Sequence, residues 1–177
     1  MFSERKEKEF LKKYPFLKDR DIDGSVNVPI SMIPLEIPVG WHKLFFQMCD
    51  DIKPILEKEG YLENFFFLQV KEKYNRLTCY GSRYTPVAVK QLFGKYEHLA
   101  RYVCVKCGKP ATCETTGYLA SYCDDCWKDE AGHESVECLK FKPYFVINSE
   151  TEGCHCDEKH ISFQSEWDRY LKTIEKE

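Results

Sequence analysis

Two Cys-x-x-Cys pairs, Cys104-Val-Lys-Cys107 and Cys123-Asp-Asp-Cys126, stand fifteen residues apart and constrain this chain more than any other feature. A CxxC turn lets two sulfurs converge on one ion, and Gly108 allows the tight backbone behind the first pair. Two such turns supply four thiolates, the closed tetrahedral set of a structural zinc site, with Zn–S distances of about 2.3 Å. The pattern therefore predicts a four-cysteine zinc-ribbon-like module that binds Zn2+ through Cys104, Cys107, Cys123 and Cys126. Four sulfurs leave no open position for an activated water, so the ion supports folding, worth roughly 10–16 kcal/mol of apparent free energy. Lys106 and Lys109 stand beside the thiolates and offset part of their charge. A redox dithiol would need only one CxxC, usually at a helix start after a strand.

The chain has ten cysteines, so the remaining six need an account. It begins MFSERKEKEF, charged from the third residue, with no apolar segment behind it and no run near the ~18 apolar residues of a membrane span. The expectation is a soluble protein of a reducing cytoplasm, with no membrane partner, where thiols stay free or bind metal. Cys49 and Cys79 sit in apolar elements and read as core residues. Cys138, Cys154, Cys156 and His160 offer a candidate second metal site, with Cys113 and His133 as further ligands. Their Cys-x-Cys-x3-His spacing is less specific than paired CxxC, and one zinc ion or two both stay open.

The rest of the chain can build its own core: of 177 residues, 43% are apolar and 15% aromatic. A first helix is predicted over Glu4 to Tyr14, ended by Pro15. Pro15, Pro29, Pro34 and Pro38 then impose an irregular or extended arm whose apolar residues suit packing on the body. From Gly40, the residues Trp41, Leu44, Phe45, Met48, Cys49, Ile52 and Leu56 fall on one helical face, with Pro54 near the end and Gly60 as the stop. A β-hairpin is predicted from Phe65–Val70 and Arg76–Tyr80. Thr85-Pro86 reads as an N-cap followed by proline at the first helical position. The helix after it carries Val89, Leu92, Phe93, Tyr96, Leu99, Ala100 and Val103 on one face and leads straight into Cys104. Pro143–Ile147 reads as a further strand. A last helix begins near Ser162, with Phe163, Trp167, Tyr170, Leu171 and Ile174 inward. The fold class is α+β: a small antiparallel sheet packed by helices, with the zinc module late in the chain. Its parts are a helix and Pro-rich arm over 1–38, the α+β core over 39–103, the zinc ribbon over 104–130, and an acidic segment over 131–177.

Charge is placed unevenly. Residues 71–109 hold nine Lys or Arg against two Glu, and from Glu114 onward fifteen acids face seven Lys or Arg. Such an arrangement steers a charged partner. Nucleic acid is one candidate, through the basic stretch and its interleaved Tyr74, Tyr80, Tyr84, Tyr96 and Tyr102. Several of those tyrosines fall on core-facing positions, and the whole chain is mildly acidic, which argues against it. Enzymatic readings fare worse. His133-Glu134 follows the CxxC pairs in the wrong order for a zinc deaminase. There is no HExxH, Walker loop or GxSxG. An HNH-like nuclease using His133 or His160 lacks a supporting His or Asn at fitting spacing. His42 and His98, beside apolar stripes, read as packing or surface histidines.

Three segments carry a resemblance. Gly40-Trp41-His-Lys-Leu-Phe-Phe, Gln69-Val-Lys-Glu-Lys-Tyr-Asn-Arg-Leu-Thr-Cys-Tyr80 and the Cys-x-x-Cys-Gly…Cys-Asp-x-Cys ending resemble small zinc-ribbon proteins of phages and prophages. The likeness spans about residues 39–130, with Asn75 where that pattern has glycine; asparagine also tolerates a left-handed turn. The chain is also similar to the metalloprotein class of type II-A anti-CRISPR proteins. That resemblance implies a non-enzymatic inhibitor, acting in the bacterial host cell, that binds Cas9 and blocks DNA loading or target recognition. It gives the acidic residues Asp124, Asp125, Asp129, Glu130, Glu134 and Glu137 a role in meeting a positively charged channel.

Overall fold

The computed structural model describes residues 11–20, 26–28, 37–130, 137–140 and 164–174. A short 3-10 turn, Val39–Trp41, runs directly into α1, His42–Glu59. The stripe read from the sequence is its buried face: Trp41, Leu44, Phe45, Met48, Cys49, Ile52 and Leu56 are all fully enclosed. Pro54 lies inside α1 without ending it. Packing of Ile52 and Leu56 on either side outweighs the backbone bond that proline forfeits. The helix stops at Gly60, which is left-handed (φ 73°), and the Tyr61 amide donates back to Leu56.

Strands β3 (Phe67–Glu72) and β4 (Leu77–Gly81) form an antiparallel hairpin with Val70 opposite Cys79 and Gln69 opposite Tyr80. Phe65 is bonded back to Tyr61 in the turn after α1, so pairing starts two residues later than the aromatic run suggests. At the tip, Lys73 and Arg76 exchange both backbone hydrogen bonds, while Tyr74 (φ 52°) and Asn75 (φ 59°) are both left-handed. This is the turn whose twist suits a two-residue hairpin. Helix α2, Val87–Ala100, then buries Val89, Phe93, Tyr96, Leu99 and Ala100 against α1 and β4. Thr85 does not cap it. Its hydroxyl donates to the Ser82 carbonyl in the preceding turn, a local bond that competes with capping.

Earlier in the chain, residues 11–13 are helical, followed by a 3-10 turn at Pro15–Leu17. The described part of the arm is more regular than the prolines suggest, with β1 (Asp19–Arg20) paired antiparallel to β2 (Val26–Val28). Phe16, Leu17 and Ile37 are buried, so this part packs on the body. Phe16, Phe45, Phe65, Phe67 and Phe93 meet in tilted or edge-on contacts, with centroids 5.2–6.4 Å apart.

The cysteine-rich part contains a three-stranded antiparallel sheet, with β5 (Cys113–Thr115) between β6 (Ser121–Tyr122) and β7 (Cys138–Lys140). Helix α3, Asp124–Glu130, follows β6, and α4, Gln164–Ile174, buries Trp167 and Tyr170. Neither β7 nor α3 is long enough to leave a periodic signal in the sequence. The expected strand at Pro143–Ile147 and the inward Phe163 lie outside the described residues. The architecture is mixed helix and sheet with a four-cysteine cluster. Among the described residues no helix is long and apolar enough to cross a membrane.

Candidate metal centre

The first CxxC turn forms where α2 ends. Val103 bridges to Pro110, the Cys104 amide donates to the Lys109 carbonyl (2.8 Å), and the Gly108 amide donates to the Cys104 carbonyl (3.0 Å). Gly108 sits at φ 77°, a left-handed conformation that a side chain would strain. The second turn leaves β6, and Cys126 falls in the first turn of α3, with the Trp127 amide donating to Cys123 (2.9 Å). One backbone bond, from the Val105 amide to Ser121 (2.9 Å), sews the two turns together.

The fold thereby brings Cys104, Cys107, Cys123 and Cys126 together, their four sulfurs all within 4.8 Å of one another. Cys107 and Cys123 are 3.6 Å apart. A tetrahedron with arms of about 2.3 Å has edges of about 3.8 Å, whereas a disulfide closes to about 2.0 Å. The spacing fits one ion gripped by all four sulfurs.

No protein-family model, curated protein or solved structure matches the chain.

The electrostatics suit thiolate ligation. Burial acts to raise the Cys104 thiol, yet amides of Cys107, Cys123 and Lys106 point at it and hold it below its ordinary value. Burial, then the sulfurs of Cys107 and Cys123, push Cys126 well above that value. Four thiolates this close repel one another, and a divalent cation at their centre lets all of them ionise. Lys109 is held protonated first by Asp125, at 3.5 Å, and then by the field of Cys107 and Cys123.

Three residues clasp this centre to the core, and spacing arguments alone missed their roles. The Gly40 amide donates to Val105 (2.9 Å), and Gly40 lies so near the first turn that a Cβ would stand 2.0 Å from the Cys104 carbonyl oxygen. Trp41 Nε1 donates to the Val103 carbonyl at 3.1 Å. From α4, the buried Tyr170 hydroxyl donates to the Gly108 carbonyl at 2.6 Å. The Gly-Trp pair is legible in the sequence; that its glycine touches the cysteine turn is not.

The hairpin tip docks on the same region. Asn75 is fully buried, and its Nδ2 donates to Glu114 Oε1 (2.7 Å) and to Ser121 Oγ (2.6 Å). The Ser121 hydroxyl passes a further bond to the Arg101 carbonyl (2.6 Å), and Arg101 pairs with Glu114 at 3.1 Å. Asparagine therefore does more than tolerate the turn, as its amide links the hairpin to the β5–β6 sheet.

The other candidate ligands divide differently. Cys113 is disulfide-bonded, so it is no thiolate donor for a second metal, and the expectation of free or metal-bound thiols fails there. Its partner sulfur is not among the described side chains. The side chain of Cys138, together with Cys154, Cys156, His133 and His160, lies outside the described residues. Cys49 is fully buried and Cys79 packs beside the core; burial raises both thiols, which makes them inert. Of the acids read as partner-facing, Asp124 accepts the Thr112 hydroxyl (2.8 Å), and Asp125, Asp129 and Glu137 are exposed. The Glu130 side chain and Glu134 are outside the described residues. His98 packs edge-on to Tyr102, and His42 Nε2 is buried with no hydrogen-bond partner among the described residues.

Proposed function

We propose that the chain is a zinc-stabilised binding protein that works without catalytic turnover, directed against a Cas9-type effector in the bacterial host cytoplasm. The observation that carries the zinc assignment is the closeness of the four sulfurs, all within 4.8 Å. An all-sulfur tetrahedron selects zinc or iron, and a polynuclear iron–sulfur cluster would spread its cysteines over several metal atoms. Zinc bound by four thiolates has no site for water or substrate, so it stabilises rather than reacts.

The target comes from the resemblance to phage zinc-ribbon proteins and to type II-A anti-CRISPR metalloproteins. Asp124, Asp125 and Asp129 are exposed on α3, which also carries Cys126, and so stand on the element that the metal holds. A rigid acidic surface of this kind suits the positively charged channel of such an effector, and rigidity lowers the entropy cost of association.

Metal analysis of the purified chain is expected to return zinc bound at the four-cysteine centre. Titration into guide-loaded Cas9 is expected to abolish DNA loading at a fixed stoichiometry, with inhibition weakening as salt rises. Metal-free native protein would overturn the zinc assignment. Inhibition by trace amounts, with many effector molecules inactivated per chain, would overturn the non-catalytic reading, and undiminished DNA loading would remove the target.

A further inference from the structure

We propose that the exposed face and tip of the β3–β4 hairpin form a binding surface for single-stranded nucleic acid, using none of the four clustered cysteines and beyond the target assigned above. The tyrosines of the basic stretch split into two groups. Tyr96 and Tyr102 are buried, whereas Tyr74, Tyr80 and Tyr84 are 71%, 43% and 38% exposed. Each exposed ring carries its own cation. Lys73 lies 5.8 Å from the Tyr74 centroid, Lys71 5.8 Å from Tyr80, and Arg83 4.8 Å from Tyr84.

Seven of the nine cations in that stretch split in the same way. Arg76, Lys95, Arg101 and Lys109 each face a carboxylate: Glu97, Glu166, Glu114 and Asp125. Among the described residues, Lys71, Lys73 and Arg83 face none. Positive charge is thus left without a carboxylate partner where aromatic rings are exposed. Rings that stack bases, beside cations that meet phosphates, are what a single strand needs; a duplex hides its base faces. An acidic protein would use the cations and leave the rings unexplained.

Backbone conformation supplies an independent argument. Tyr74 takes the first central position of the hairpin turn at φ 52°, where asparagine, aspartate or glycine is far better accommodated. An exposed ring there gains little from packing, so its cost points to use outside the fold. Asn75 beside it is buried and bonded, which holds the tip, and with it Tyr74, in place. Tyr80 lies about 10 Å along β4 from Leu77, and Tyr74 stands beyond that end in the turn, so reaching both rings calls for more than one nucleotide of extended strand. At the base of the hairpin Tyr84 stacks with Tyr61 (6.4 Å), which widens the platform there.

The test uses the full-length, zinc-loaded protein and a fluorescein-labelled oligothymidine of twenty nucleotides, read by anisotropy at low salt. Binding is expected, with log K falling against log salt at a slope near −2, as for about three phosphates on a single strand. Tyr80→Ala and Tyr84→Ala are each expected to weaken binding by about five-fold or more. Tyr74→Asn keeps the left-handed turn while removing the ring, and is expected to weaken binding with thermal stability and zinc content intact. Absent binding, or affinity unchanged in all three variants, would overturn the proposal. So would a preference for duplex of equal length, or displacement by polyglutamate at equal charge, which would reassign the face to an acidic protein.

Discussion

Gly40 shows how little room one hydrogen atom can leave. A methyl group there would meet the Cys104 carbonyl oxygen at 2.0 Å and the Gly108 amide nitrogen at 2.7 Å, both backbone atoms of the first CxxC turn. Gly40→Ala is therefore expected to cost about 3 kcal/mol or more, by overpacking a site that cannot yield. Chemical denaturation combined with a zinc-competition assay checks this, since the same clash should loosen the metal. Asn75 is the second sensitive residue. Asn75→Gly keeps the turn geometry but deletes two buried side-chain hydrogen bonds and leaves Glu114 and Ser121 short of a donor, for a loss of about 1–3 kcal/mol in denaturant melts. His98 sets a pH dependence. Burial, then Arg101 and Arg76, hold its imidazole below the ordinary 6.5, so the unfolded chain takes up a proton more readily. Its contribution is complete above pH 6.5 and is lost as pH falls from there through the folded-state value. His98→Gln is expected to flatten the stability slope on that acid side, measured as the difference from the unaltered chain so that metal release cancels.

At the level of elements, α4 holds two places at once. Tyr170 reaches the first cysteine turn through its hydroxyl, while Arg169 bonds Asp51 of α1 and Tyr96 of α2. Glu166, on the same helix, pairs with Lys95 at 2.8 Å, and its carbonyl accepts from Gln47. These groups border a shallow cleft of about 430 Å³ lined by Asp51, Pro54, Ile55, Leu92, Glu166 and Arg169. The charged side chains there satisfy one another, so the cleft reads as a seam between helices. Tyr170→Phe keeps the packed ring and removes one buried donor, with an expected loss of about 1 kcal/mol and faster zinc release to a chelator. Arg169→Met, by contrast, should loosen α4 from α1 without a direct effect on the metal. The hairpin makes a similar point about legibility. Its strands and turn can be read from β-prone runs and a polar break, while the burial of Asn75 depends on Glu114 and Ser121, which are 39 and 46 residues away.

Among the described residues, the four-cysteine cluster is continuous with the core. A backbone bond from Gly40, a side-chain bond from Trp41 and another from Tyr170 all end on residues 103–108. Structural zinc contributes roughly 10–16 kcal/mol, which matches or exceeds the net stability of a typical domain, about 5–15 kcal/mol. Chelation is therefore expected to unfold the cysteine-rich part and α1 together. Far-ultraviolet circular dichroism and the combined fluorescence of Trp41, Trp127 and Trp167 should change in one coincident step. Two separated transitions would show a metal module merely attached to an independent core.

The helices and the four-cysteine cluster were open to a reading of the chain alone, because both rest on short-range spacing. Apolar residues at a 3.6-residue period select one face of α1 and α2, and paired CxxC turns commit four sulfurs to a common centre whatever surrounds them. Other features came from residues far apart in sequence. The disulfide at Cys113 breaks an expectation drawn from the compartment, which fixes no individual sulfur. The need for glycine at position 40, the interior role of Asn75 and the division of the basic stretch into cations with and without a carboxylate partner each depend on which distant group lies opposite. Periodicity carries the faces of elements; only three-dimensional packing decides which face meets which, because contact energies fall off over ångströms in space without regard to distance along the chain.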